Sequence, residues 1–231
     1  MTAKQNSPSS AKELAVFFDH TLLKPDATKI DIEKLCQQAK DYHCYAVCVN
    51  PGYVKFCSDW LSDTNVKVTG VVGFPLGSHF TETKVQETKQ ILGNGAHEID
   101  MVMNLGDFKS KNFSATQKDI QAVVFAAGKA PVKVIIETCF LHPEEIIIAC
   151  KMCKEAGASF VKTSTGFSTG GAKTQDVKLI RDTVGAHMGV KASGGIKTLE
   201  RACAMIQAGA NRLGSLMSVE ILKEAKEKWG K

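Results

Sequence analysis

The sequence has no run of five or more basic residues and no basic stretch interleaved with aromatics, and its 29 Lys and Arg barely exceed its 24 Asp and Glu. A nucleic-acid surface is therefore not expected, although a net charge of +5 is compatible with a small anionic substrate. No stretch approaches 18 consecutive apolar residues, so no membrane span is expected. The opening MTAKQNSPSS is polar and lacks the apolar centre of a secretory signal. Eight cysteines without such a signal read as reduced thiols, and a cytoplasmic location is expected. The one CxxC, Cys150 and Cys153, lies within the helical pattern EEIIIACKMCKEAGA, with no second pair and no histidine at ligand spacing. It is expected to be two packed helix thiols rather than a zinc or redox site. The six histidines are scattered and none pairs with another at ligand spacing, which suits surface or loop-packed imidazoles. Neither a metal nor a cofactor is expected.

What the 231 residues do have is 44% hydrophobic content and a regular alternation. Short β-branched runs occur at AVFFDHTLL, YAVCVN, VKVTGVVG, EIDMVMN, VKVIIET, FVKTSTG, GVKASGG and RLGSLM. Segments of helical periodicity separate them, such as ATKIDIEKLCQQAKDYH, TETKVQETKQILGNGA and PEEIIIACKMCKEAGA. One joint repeats as NGAHEID, EAGASFVKTS and QAGANRLGS, with Gly95, Gly157 and Gly209 where a helix should end in a left-handed residue. Eight strand–helix units at about 25 to 30 residues each have the size of a (β/α)8 barrel. A doubly wound sheet is the alternative, but its usual first-turn GxGxxG is absent. No Pro/Gly/Ser-rich linker divides the chain. The expectation is thus an α/β protein: a flexible segment over residues 1–10, then a single (β/α)8 TIM barrel over residues 11–231 with a short helical N-terminal extension.

Side chains alternate along a strand, so each run can be tested for its inward phase. In EIDMVMN, Ile99, Met101 and Met103 form an apolar face for the helices, leaving Glu98, Asp100, Val102 and Asn104 inward. The same test turns Lys133, Ile135 and Glu137 inward, then Phe160, Lys162 and Ser164, then Gly189, Lys191 and Ser193. Asp19 and Cys48 are expected to join them from the first two strands. Charges in a low-dielectric interior are costly unless paired. Lys133 is accounted for by a buried pair with Glu137 or Glu98. Lys162 and Lys191 stand at the C-terminal ends of adjacent strands, where barrel enzymes keep their chemistry, and read as a functional pair.

A free lysine amine titrates at about 10.4, so almost none of it is nucleophilic at pH 7, and bringing it to about 7 takes about 4.6 kcal/mol. A second ammonium about 5 Å away, at an effective dielectric near 20, supplies about 3.3 kcal/mol of repulsion. Burial at the barrel mouth can add the rest. Two lysines on adjacent strands are therefore a device for making one a neutral amine, which attacks carbonyls to form an electron-withdrawing Schiff base. Asp100 could carry the proton that C–C cleavage then requires, directly or through a water held with Lys191. Spacing does not say which lysine is the nucleophile, and the constellation needs no metal. The glycine-rich turns at 168–171, 193–195 and 213–215 offer a phosphate site built on backbone N–H groups.

FVKTSTGFSTGGA, GVKASGGI, EIDMVMN and VGFPLGSHF, together with KVIIET and DHTLLKPDAT, resemble the deoxyribose-phosphate aldolase family over about residues 14–220. The resemblance implies a class I, Schiff-base aldolase on a (β/α)8 barrel. Its reaction would be reversible cleavage of 2-deoxy-D-ribose 5-phosphate into D-glyceraldehyde 3-phosphate and acetaldehyde, in deoxyribose phosphate catabolism. By motif, Lys162 matches the Schiff-base lysine, Lys191 the second lysine that depresses its proton affinity, and Asp100 the proton-carrying carboxylate. Asp19 in FDHT matches an aspartate that supports the relay. Thr165, Gly170, Gly171, Ser193, Gly194, Gly195, Gly214 and Ser215 match the substrate- and phosphate-binding turns. Some members end in a tail whose terminal tyrosine reaches the site, and KEAKEKWGK carries none. Either proton transfer then rests on Asp100, Lys191 and water, or the tail is not a general requirement. The expected partners are a small phosphorylated sugar and further copies of the chain, as a dimer or tetramer. Two alternatives stand beside this one: another Schiff-base or transaldolase-type barrel acting on a phosphorylated sugar, and a barrel keeping only its phosphate pocket as a sensor.

Overall fold

The eight β-branched runs become eight parallel strands: β1 (Phe18–Leu22), β2 (Ala46–Val49), β3 (Lys67–Val72), β4 (Glu98–Val102), β5 (Val132–Ile135), β6 (Phe160–Lys162), β7 (Gly189–Ser193) and β8 (Arg212–Ser215). The computed structural model, which describes residues 7–230, pairs each strand with the next and β8 with β1, closing the (β/α)8 barrel. Helices fill the crossovers because their apolar residues recur at the helical period. Lys29–Asp41 buries Ile32, Leu35, Cys36 and Ala39 on one stripe. Its first turn is fixed by a capping box in which Thr28 and Asp31 each accept the other's backbone N–H.

The main core is the shell between sheet and helices. Ile99, Met101, Met103, Val134, Val161 and Val190 lie in it, as their outward phase requires. The repeated Gly-Ala joint has a backbone cause. Gly95, Gly157 and Gly209 have φ of 95°, 81° and 112°, where a Cβ is penalised, and each lets a helix stop just before β4, β6 or β8. A buried Lys84–Asp119 pair at 2.6 Å ties helix Thr81–Gly93 to helix Phe113–Ala127. Lys84 Nζ also donates to the Val102 carbonyl at 3.1 Å, anchoring the end of β4.

The N-terminal extension is the helix Ala11–Ala15, whose cap Ser10 accepts from the Glu13 N–H. It packs against the last helix, Ser218–Trp229. Of the segment expected to be flexible, residues 1–6 lie outside the described residues, and Pro8 is buried. Cys150 and Cys153 are buried on helix Pro143–Glu155, and burial pushes both thiols up, Cys150 to about 12. His20 departs from the surface reading of the histidines: it is buried on the outward side of β1 between Gln38 and Ser218. Among the described residues, no helix is long and apolar enough to cross a membrane, and no three His, Cys, Asp or Glu side chains are placed to hold a metal ion.

Candidate active site

Parallel register brings the inward charges together. β6 and β7 set Lys162 beside Lys191, and β4 and β5 set Asp100 beside Lys133. Asp100 is the centre of the group. Its Oδ2 accepts from Lys162 Nζ and Lys191 Nζ, each at 2.7 Å, and its Oδ1 accepts from Lys133 Nζ at 2.8 Å. The Lys162 and Lys191 nitrogens share one oxygen, so they are at most twice 2.7 Å apart. Lys191 also donates to Asp19 Oδ2, and Lys133 lies 2.7 Å from Glu98 Oε2. One layer lower in the barrel, Arg212 donates to Asp19 Oδ1 at 2.9 Å and to Glu98 Oε2 at 3.0 Å. Four cations thus interleave with three carboxylates in an interior where Lys133, Lys191, Asp19 and Asp100 are fully buried and Lys162 is 2% exposed.

Each shift here is a contest between burial and charge. For Asp100, burial favours the neutral acid, but Lys133, Lys162 and Lys191 outweigh it and hold the carboxyl well below its usual range. For Asp19, burial is again overcome, by Lys191, Lys133 and Arg212, and the carboxyl is held at about 2. Burial would strip the proton from Lys191, but Asp100 and Asp19 hold it above the usual lysine range. Lys133 is held up in the same way by Asp100, Asp19 and Glu98, and Arg212 by Asp19 and Glu98. Those three cations are fixed. Among the described residues, Lys162 touches a single carboxylate, which it shares with both other lysines.

Above the cluster, at the C-terminal end of the barrel, lies a cavity of about 500 Å³. Lys162 lines it, while Lys191, Lys133, Asp100 and Asp19 lie behind. Thr165, Ser193, Gly194, Gly195, Gly214 and Ser215 line it too. Gly194 and Gly195 adopt φ of 84° and 75°, and neither N–H has a hydrogen-bond partner among the described residues. Two free amides in succession, in a left-handed turn, form a concavity that suits an anion. A Cβ on Gly214 would approach Lys191 Cε to 3.3 Å, so glycine there leaves the lysine its room.

Gly170 and Gly171, expected to bind phosphate, do not line the cavity. They sit behind the turn, where a Cβ on Gly171 would lie 2.3 Å from the Gly194 carbonyl oxygen and one on Gly170 would lie 2.9 Å from Cys139 Cβ. The next residue, Ala172, donates its N–H to the Ser193 and Gly194 carbonyls. These glycines prop the anion turn rather than face it. The hydroxyls are committed as well. Ser193 donates to the Ser164 carbonyl at 2.6 Å, Ser215 to the Ile196 carbonyl at 2.7 Å, and Thr165 to Glu137. They knit the ends of β5, β6, β7 and β8 into one rim.

Glu137 is not the partner of Lys133. β5 ends at Ile135, the backbone turns left-handed at Glu137 (φ 50°), and its carboxylate accepts from Thr165 N–H and Ser168 Oγ instead. Cys48 faces inward as expected, 3.8 Å from Asp100 Oδ2, and burial with the adjacent carboxylate pushes its thiol up to about 11. It is a protonated thiol in a small apolar cluster with Leu23 and Val71. Sequence reasoning missed Arg212, Lys24, Lys197 and Phe167. Arg212 precedes Gly214 by two and shares its phase, a signal that was there to be read. Lys24, Lys197 and Phe167 line the cavity from loops, where no period announces a direction. Phe167 meets Phe74 edge to face at 5.3 Å, giving the mouth an aromatic wall.

A sequence model described as DeoC/LacD family aldolase matches residues 13–223. The deoxyribose-phosphate aldolase of Clostridium tetani is 54% identical over 215 residues, which is 93% of this chain and all of the relative. That of Clostridium novyi is 57% identical over 211 residues, 91% of this chain and 95% of the relative. Among solved structures, an aldolase called QR15 is 40% identical with a TM-score of 0.89, covering 93% of this chain and 96% of its own. A tetrameric deoxyribose phosphate aldolase from Aeropyrum pernix is 33% identical with a TM-score of 0.89, covering 96% of this chain and 94% of its own.

Proposed function

We propose that this chain, which belongs to the DeoC/LacD family of aldolases, reversibly cleaves 2-deoxy-D-ribose 5-phosphate through a Schiff base on Lys162. One observation carries the reading. Lys162 is the amine of the buried cluster that opens on the cavity, and it is the cation left over once Lys133 is matched to Glu98, Arg212 to Asp19 and Lys191 to Asp100.

In the reaction, neutral Lys162 Nζ attacks the C1 aldehyde of the open-chain sugar, and loss of water leaves an iminium. The C2–C3 bond then breaks. Its electron pair moves into the iminium to give an enamine, C3 becomes the aldehyde of glyceraldehyde 3-phosphate, and the C3 hydroxyl releases its proton. Bond cleavage turns a positive iminium into a neutral enamine beside Asp100. The carboxylate loses one cationic neighbour at the moment a proton is released, so its proton affinity rises when an acceptor is needed. Asp100, bridged to Lys191, then returns a proton to C2, and water releases acetaldehyde. Asp19 supports the relay by holding Lys191. The Gly194 and Gly195 amides take the phosphate, with Lys24 and Lys197 beside the same cavity adding positive charge.

The chemistry calls on no metal or cofactor. We assign it to one barrel domain over residues 11–231. A cytoplasmic location is supported by eight free thiols, and a homo-oligomer by the tetramer of the Aeropyrum pernix relative. Cleavage of 2-deoxyribose 5-phosphate measured against unphosphorylated 2-deoxyribose tests the assignment. Losing two amide-to-phosphate bonds at about 1.5 kcal/mol each should lower kcat/KM at least about 100-fold. Equal kcat/KM for the two sugars contradicts the phosphate site, and no cleavage of either contradicts the activity.

A further inference from the structure

We infer that Arg212, with its partner Glu98, is a positioning residue that keeps the buried cluster one positive charge in excess, so that Lys162 is the group that gives up its proton. The inference deepens the aldolase reading and rests on it.

Arg212 does not reach the cavity, and it stands beside Lys191 in the β7–β8 register. Its guanidinium lies 3.5 Å from the Tyr45 ring centroid and 5.4 Å from that of Phe160, and it donates to both Asp19 and Glu98. A stacked guanidinium on two carboxylates is a permanent cation. The charged groups of the buried cluster that holds Lys162 are Asp19, Glu98, Asp100, Lys133, Lys191 and Arg212, while Lys24 and Lys197 line the cavity on which it opens. From β2 and β3 come Cys48, held as a thiol, and Thr69, which are uncharged.

Lys133, Lys191 and Arg212 match Asp19, Glu98 and Asp100 one for one. A proton on Lys162 is then surplus charge in a medium that tolerates little of it. Without Arg212, Asp19 and Glu98 fall back on Lys191 and Lys133, and protonated Lys162 becomes the cation that completes the match to Asp100. Without the Glu98 charge, the surplus doubles. Charge counting therefore gives the two substitutions opposite signs, which a residue that only plugs the floor of the barrel does not.

The test is the pH dependence of borohydride-trapped acetaldehyde on residue 162, read by peptide mass mapping alongside thermal melting. Arg212→Met should raise the pH of half-maximal labelling by about one unit, the effect of a unit charge on the order of 10 Å away at an effective dielectric near 20. Glu98→Gln should lower it by a similar amount. The double variant restores a surplus of one and should return the midpoint close to wild type. Arg212→Lys keeps the charge and should keep the midpoint. Glu98→Gln decides the matter even where Arg212→Met does not fold. Midpoints that coincide with wild type while the adduct still forms on Lys162, or single variants that move the same way, overturn the role of Arg212 alone. Absence of any adduct in the wild-type chain removes the aldolase reading and this inference with it.

Discussion

Replacing Lys191 by methionine removes a cation that shares a carboxylate oxygen with the proposed nucleophile, with little change in side-chain volume. Its nitrogen shares Asp100 Oδ2 with Lys162, each at 2.7 Å, so the separation removed is at most twice that. At that distance and an effective dielectric near 20, a unit charge is worth about 3 kcal/mol, or about 2 pH units. Neither side chain is exposed enough for bulk solvent to screen the effect strongly. The sign follows from the chemistry. Lys162 attacks only as a neutral amine, Lys191 opposes its protonation, and removing Lys191 lets Lys162 keep its proton to higher pH. Asp100, freed of one partner, pulls the same way. Acetaldehyde labelling followed across pH should therefore reach its half-maximum about 2 units higher in Lys191→Met, with circular dichroism confirming the fold. A midpoint that stays in place or falls refutes the repulsion argument.

Gly171→Ala places a Cβ 2.3 Å from the Gly194 carbonyl oxygen, a backbone atom that must move. KM for the phosphorylated sugar should rise about tenfold, as expected for roughly one lost amide-to-phosphate bond, with acetaldehyde labelling of Lys162 unchanged. Loss of labelling in that variant contradicts the division of the site into amine and anion turns. Asp19 is held at about 2, below its ordinary 3.8, so it stabilises the fold above the ordinary value and that stability is lost as pH falls through the folded one. Its contribution of about 2 kcal/mol should disappear between about pH 4 and pH 2, and urea denaturation should show a shallower slope there in Asp19→Asn. Identical slopes in the two chains contradict the depressed carboxyl.

The barrel was legible because its information is periodic. Eight β-branched runs, helical stripes between them and a recurrent Gly-Ala joint state the element order, and two-residue alternation along β4, β6 and β7 aims Asp100, Lys162 and Lys191 at one axis. Alternation fails where the strand does. Glu137 lies two residues past the end of β5, so the phase extrapolated to it meant nothing once the backbone turned left-handed. The glycine turns were legible as a group but not individually. Whether Gly171 faces the cavity or braces Gly194 is decided by a contact between two loops, and no local pattern encodes it. The lower charge layer was the larger loss. The Lys133–Glu98 pair was expected, but pairing Lys162 with Lys191 counts a repulsion and leaves out the carboxylate that Lys162, Lys191 and Lys133 share, together with Arg212. Those partners come from strands far apart in sequence and meet only on closure of the barrel.

The most direct test of the account is where a covalent two-carbon adduct forms. Wild-type chain incubated with acetaldehyde at neutral pH, reduced with borohydride and digested should carry the adduct on the peptide containing Lys162, with fragment ions placing it on that side chain. An adduct on Lys191 or Lys133, or none in protein shown to be folded, contradicts the assignment of the nucleophile.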